Sequence, residues 1–431
     1  MDVSLASTAS RRALLIASLA TSSLIGFDAA KHWIAHQRID SGRLESMKRG
    51  AVIEPGNAES WDRLCRFEQF DFANPDPPRA VVDCLKAVAE NPHSAHYWMD
   101  LATAYEIAGD LHRAREAFQR ARSVYPVSAE VAWTFGNFLL RQDQLVEGYA
   151  QIQQAVRADP SLLPIAISRV WRSNHDVDRL LDEVLPANVE AYFQALDFFA
   201  STQQSEPALR VWERILALHK PFALPRSFPF VDELIGQDRS EDTRRVWRQA
   251  LDAAGMPYVE PADHSLIWNG NFGRDFVNGG LDWRWAAPIG VSMGFDPAPP
   301  SRGIRSLRLD FGGGSNLELG QPLQYVPVEP SRKYHFTAFL RTDHITTESG
   351  MRFSIYDPHQ AGAVNVLTDN LTDTNPWTAA DEYFITGPDT HFLAVRLYRS
   401  TSRLFDNKLS GTVWIADVSL IPADSSEQPS Q

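Results

Sequence analysis

At 431 residues, with 44% hydrophobic and 22% charged side chains, the chain is too long for one core and too apolar to be disordered. Its formal net charge of −13 excludes nucleic acid as the main partner, because phosphate binding needs a basic surface. Two cysteines, Cys65 and Cys84, with no CxxC and no Cys/His cluster, exclude a zinc framework.

At the N-terminus, Arg11-Arg12 precede an apolar run over 13–27. Basic residues before an apolar stretch are an export pattern. The run is short of the roughly twenty residues a spanning helix needs, and no small-x-small cleavage site follows it. Trp33 is placed to act as an interfacial anchor. The reading is an uncleaved signal anchor over 1–36, single-pass in the cell inner membrane, with the bulk of the chain periplasmic. A cleaved signal peptide is the second reading, and a buried helix of a cytosolic protein the third.

From 39 to 256 the chain reads as helix after helix. The stretch 95–126 sets the pattern. Trp98, Leu101, Ala102 and Tyr105 sit at helical spacing, Gly109-Asp110 breaks it, and Ala114, Phe118 and Ala121 build a second helix that Pro126 ends. Small residues let the two helices approach, and large ones fill the space between neighbouring pairs. This W-x2-L-small-x2-Y…A-x3-F-x2-A…P order resembles the tetratricopeptide repeat, with every signature position filled. The pattern extends forward through Phe135, Gly136, Leu139, Ala155 and Pro160, and backward through Ala80, Ala87 and Pro92. A partial unit around 47–50 precedes it. After Pro160 the signature decays, but RVWERILAL and RVWRQALDA recur 35 residues apart, placing Trp212 and Trp247 in one slot. The expectation is an α-solenoid of four to six helix pairs whose groove holds a protein partner, with Tyr97, Asn137, Arg141 and Gln144 as polar groove candidates. Cys65 and Cys84 fall on two helices of one pair. A disulfide is geometrically conceivable there, and two buried thiols acting as small hydrophobes are the simpler expectation.

At Pro257 the grammar changes. Short runs with period-two alternation follow at 306–311, 317–319, 334–341, 351–356, 392–399 and 412–420, separated by turn clusters. They predict an antiparallel β-sandwich over 262–421, with a disordered tail over 422–431. Leu307, Leu309 and Phe311 share one face, as do Phe353 with Ile355, and Leu393, Val395 and Leu397. Six motifs occur in order: Asn269-Gly270-Asn271-Phe272, Gly279-Gly280-Leu281-Asp282-Trp283, Gly303-x-x-Ser306-Leu307, Tyr334-x-Phe336 with Arg341, Trp377, and Val413-Trp414-Ile415-Ala416-Asp417-Val418. This order resembles the jelly-roll carbohydrate-binding modules of families 4, 9 and 22. The resemblance implies a structural Ca2+ between the opening turn and the last strand, held at the matching positions Asn271 and Asp417. Ala416 replaces a carboxylate common in the family, and Asn271 stands where an acidic residue is usual. The resemblance also implies glycan binding. Sugar rings stack on exposed aromatics with polar side chains beside them. Trp285, Tyr356, Arg396 and Tyr398 are the ligand-binding candidates, with Arg352, His335, Phe339 and Arg341 on other non-core positions.

No catalytic signature accompanies these parts. Glu318, Asp357 and Asp381-Glu382 lie in different runs, with none of the paired context that glycoside hydrolysis needs. The chain therefore reads as a non-catalytic, envelope-anchored adaptor: a helical array for a protein partner and a β-sandwich for a glycan, in surface polysaccharide assembly or export. The alternatives are a pure protein scaffold whose sandwich has lost sugar binding, and a polysaccharide hydrolase or lyase.

Overall fold

The computed structural model describes residues 8–70, 75–256, 258, 264–297 and 305–423. Pro257, Gly303 and the tail from 424 onward lie outside the described residues. The chain forms two compact units, Met1–Pro186 and Ala187–Gln431.

The first unit begins with α1 (Thr8–Ile39), a helix of 32 residues. It runs well past the short apolar run seen in the sequence. Leu14, Leu15, Ile16, Leu19, Leu24, Ile25 and Phe27 along it are all exposed, while Ala35 and Ile39 near its end are buried. By length and composition it can cross a membrane, a test that signal sequences near an N-terminus also pass. The end of α1 packs on α2 (Leu44–Ile53), the partial unit expected around 47–50. Helix pairs follow: α3 (Ala58–Phe70) with α4 (Pro77–Glu90), α5 (Ala95–Ile107) with α6 (Leu111–Val124), and α7 (Ala129–Arg141) with α8 (Leu145–Ala158). Next comes α9 (Leu163–Asn174) with α10 (Val177–Arg179), which continues as a π turn over Leu180–Val184.

The pairing follows from local chemistry. Ser94, Asp110 and Ser128 each accept the backbone N–H three residues on, so α5, α6 and α7 start where a side-chain oxygen satisfies an orphan donor. Ala102, Ala114, Ala121 and Phe118 are fully buried, which is the small-against-large packing the repeat pattern demands. Phe118 stacks on Phe135 of the next pair, with ring centroids 5.4 Å apart.

Cys65 and Cys84 form a disulfide that joins α3 to α4, so the expectation of two buried thiols is corrected. The pairing brings their Cα atoms to 5.2 Å, and a bridge follows at that distance. Closing a loop of this size contributes about 3 kcal/mol by chain entropy.

The second unit opens with two further pairs: α11 (Val189–Ser201) with α12 (Ser205–Ala217), and α13 (Phe228–Gly236) with α14 (Ser240–Ala253). Six pairs therefore run from α3 to α14 among the described residues. Trp212 and Trp247, the recurring pair, are both fully buried on the second helices.

Among the described residues, nine antiparallel strands follow in two sheets. The five-stranded sheet runs β1 (Val291–Pro297), β2 (Arg305–Gly312), β9 (Ser410–Pro422), β4 (Lys333–Ile345), β7 (Asp373–Ile385). The four-stranded sheet runs β3 (Leu323–Pro327), β8 (Phe392–Tyr398), β5 (Arg352–Tyr356), β6 (Asn365–Leu367). Every residue expected on a core face is buried between them. The run 317–319 is not a strand and makes a single bridge from Leu319 to Arg399. Strands β1, β3, β6 and β7 have no counterpart among the expected runs. Trp377 lies within β7, an edge strand of its sheet.

Within this unit the last helix pair docks on the sandwich through Gly279 and Gly280. A Cβ on Gly280 would lie 2.2 Å from the Trp247 ring, and its φ of +59 disfavours any side chain there. Gly279 presses equally closely on Phe228.

Candidate functional site

The pleat explains which proposed ligand residues meet. In β5 and β8, Arg352 pairs with Tyr398, Ser354 with Arg396, and Tyr356 with Ala394, so alternate residues face away from the core. The Arg396 guanidinium lies 4.6 Å from the Tyr356 ring centroid and 4.8 Å from that of Tyr398. A cation placed over aromatic rings is attracted by their quadrupoles and keeps its charge. Its Nε is buried and has no hydrogen-bond partner.

Two residues that the sequence reading missed complete this face. Tyr325 on β3 pairs with Ala394, and burial followed by neighbouring Tyr356 raises its phenol pKa. The Arg284 guanidinium lies 5.1 Å from the Tyr325 ring and bonds Asp232 of α13. Arg284 bridges Leu323 in the backbone, which turns it to the outer face. Its neighbour Trp285 consequently turns inward, half-buried against the sandwich core, and does not join Tyr356, Arg396 and Tyr398. The signal was present: in Trp283-Arg284-Trp285, alternation sets the arginine opposite both tryptophans.

His335 and Arg341 lie on the other sheet. His335 stacks on Tyr383 at 4.0 Å and meets Asp381 at 2.8 Å. Arg341 lies over Trp414 at 4.6 Å. Beside them Arg308 reaches both Asp296 and Asp310, and Trp414 donates to Asp296 at 2.8 Å. The aromatic and basic residues grouped in the sequence thus divide between two opposite faces.

Of the positions matched to calcium ligands, Asn271 Oδ1 accepts the Gly273 N–H at 3.0 Å. Asp417 has a φ of +52 where the β4–β9 register shifts. The two segments adjoin, since the Val418 N–H donates to the Gly270 carbonyl at 3.0 Å. Asp282 in the next motif is 1% exposed, and burial pushes its carboxyl up to about 6.

On the helices of the second unit, α11 and the α13 segment border a groove of about 670 Å³. Asp197, Ser201, Arg226, Asp232, Glu233 and Gln237 line it. Burial raises the pKa of both Asp197 and Glu233. Arg226 Nη2 and Glu233 Oε2 are buried without hydrogen-bond partners. In the first unit, the polar candidates are largely engaged. Arg141 makes two bonds of 2.8 Å to Glu106, Gln144 meets Arg115, and Asn137 donates to the Trp133 carbonyl. Tyr97 packs half-buried against the helix cores.

No protein-family model matches the chain, and no curated protein matches it. Among solved structures it is similar to MamA, at 16% identity and TM-score 0.26, over 40% of this chain and 85% of that one. It is similar to YrrB, described as a TPR protein with an unusual peptide-binding site, at 12% identity and TM-score 0.26, over 49% and 94%. A third likeness is to the enzymatically active domain of bacteriophage CBA120 tailspike protein 4, at 16% identity and TM-score 0.28. It covers 37% of this chain and 21% of that one. The fold assignment, an array of helix pairs followed by a two-sheet antiparallel sandwich, rests on the chain's own geometry.

Proposed function

We propose that this chain is a membrane-anchored, non-catalytic adaptor whose helical array holds a protein partner. The groove between α11 and α13 carries the proposal. Its volume of about 670 Å³ accommodates a peptide segment, and its lining sets charged groups of both signs among apolar surface from Ala200, Pro225 and Pro229. Glu233 Oε2 lacks a hydrogen-bond partner, and Arg226 Nη2 meets Glu190 and Asp197 only at 3.7 and 3.9 Å, so both suit a peptide's backbone and side-chain groups. The exposed apolar length of α1 supports anchoring. The Cys65–Cys84 bridge supports a location outside the cytoplasm, where thiols are not kept reduced. A photo-crosslinking residue at Ser201 should capture a defined partner that one at exposed Glu116 does not. Arg226→Ala and Glu233→Ala should each weaken that partner at least tenfold; capture unaltered by both changes would refute the groove.

A second reading adds a glycan at the four-stranded face, in keeping with a role in surface polysaccharide assembly or export. The Arg396 guanidinium between Tyr356 and Tyr398 supports it, because rings flanking a cation suit a sugar carrying a carboxylate. Retardation in gels containing acidic polysaccharides tests it. Absence of retardation by any of them would leave the sandwich as a protein-docking module.

A further inference from the structure

One group of side chains in the first unit has the donors of a metal centre. Asp62 lies on α3, and His96 and Asp100 lie four residues apart on α5, on one face of that helix. His96 Nε2 is 3.3 Å from Asp100 Oδ2 and 3.8 Å from Asp62 Oδ2. One donor atom from each residue lies within 4.8 Å of the other two. Tetrahedral zinc, with bonds of about 2.0–2.1 Å, spaces its ligand atoms roughly 3.3 Å apart. The His96–Asp100 edge of 3.3 Å has that spacing, and the His96–Asp62 edge of 3.8 Å closes to it with a side-chain shift of about 0.5 Å.

Burial supplies the second observation. Asp62 is 2% exposed, and its Oδ1 has no hydrogen-bond partner. Asp100 Oδ2 is also buried without one. The two carboxylates, Asp62 buried and Asp100 part-buried, repel each other, with the His96 ring 3.3 Å from Asp100 as a neighbouring donor. Glu59 adds further negative charge, and Arg66 offsets only part of it. A divalent cation would offset that repulsion and take up the free Asp62 oxygen. The His96 side chain is 45% exposed, so the group has an opening to solvent.

We propose that Asp62, His96 and Asp100 bind a divalent transition-metal ion of the zinc class, tying α3 to α5. An imidazole with two carboxylates is a borderline donor set that suits zinc rather than calcium or copper(I). Three protein ligands leave a fourth position for water. Because α3 and α5 are the first helices of consecutive pairs, the ion would stiffen the junction on which an array of neighbour-only contacts depends.

The test uses the full chain in detergent, stripped with a chelator and titrated with zinc chloride by calorimetry. One zinc per chain is expected, with a rise in Tm on loading. Asp62→Asn keeps the shape and removes a charge; His96→Ala changes a half-exposed side chain. Each should weaken zinc at least tenfold and abolish the Tm rise, while circular dichroism stays that of the parent. His32→Ala, on α1, should bind as the parent does. Absence of zinc binding by the parent, or unchanged affinity in both variants, would overturn the site.

Discussion

The two outer faces of the sandwich are built from the same residue types but pair them differently. On the five-stranded face Arg308 meets Asp296 and Asp310 and His335 meets Asp381, while Arg341 lies over the Trp414 ring. Asp310 and then Asp296 raise the pKa of Arg308, and the Trp414 indole followed by Arg308 lowers that of Asp296. On the four-stranded face Arg396 has rings and no carboxylate within ion-pair reach among the described residues. Side-chain composition alone does not make a binding surface. What matters is whether the neighbours have already satisfied its charges.

The largest expected effect tests that contrast directly. If the four-stranded face takes an acidic glycan, Arg396→Met should cut its affinity at least tenfold, read as lost gel retardation. Arg308→Met, on the satisfied face, should leave retardation unchanged. Equal losses from both would erase the distinction between the faces.

A second test carries the contrast to a buried group. Glu68 on α3 is 2% exposed, and burial, then the charge of Asp83, pushes its carboxyl up to about 7. Lys48, at 3.8 Å, and Arg79 compensate incompletely. The folded state therefore holds a proton that the unfolded state releases near pH 4.5. Stability should be fully retained below that pH, fall as pH rises towards about 7, and remain lower above it. Glu68→Gln should make the fall smaller, leaving the part that other buried carboxyls such as Asp282 contribute, and stabilise the protein at pH 8 by ~1–3 kcal/mol in denaturant melts. A variant less stable than the parent at pH 8 would mean that the ion pairs outweigh the desolvation.

The smallest effect concerns the satisfied face. Asp296→Asn removes a charge partner of Arg308 and weakens the acceptor for Trp414. The site is part exposed, so the loss should be about 0.5–1 kcal/mol, with glycan retardation unchanged. A shift in retardation would assign binding to this face instead.

Much of the fold was legible because it repeats. Ala102, Ala114, Phe118 and Ala121 recur at fixed spacing, and their burial depends on neighbours of the same kind. Strands β2, β4, β5, β8 and β9 were legible because each has one face in the core. The strands that escaped notice lack that alternation. Strand β7 is an edge strand with Pro376 inside it, β1 is half-exposed along its length, and β6 has three residues. Strand β3 buries Gln324, whose amide bonds both backbone groups of Trp268. Polarity there hides an inward position.

From the order of residues alone followed the apolar N-terminal helix, the paired helices, the stranded half and the aromatic and basic positions outside its core. All of these depend on periodicity within short segments. Tertiary structure alone decided the Cys65–Cys84 bridge, the division of Tyr356 and Arg396 from His335 and Arg341 onto opposite sheets, the inward turn of Trp285, and the meeting of Asp62 with His96 and Asp100. Each depends on distances between segments far apart in the chain, and those are set by packing rather than by local spacing.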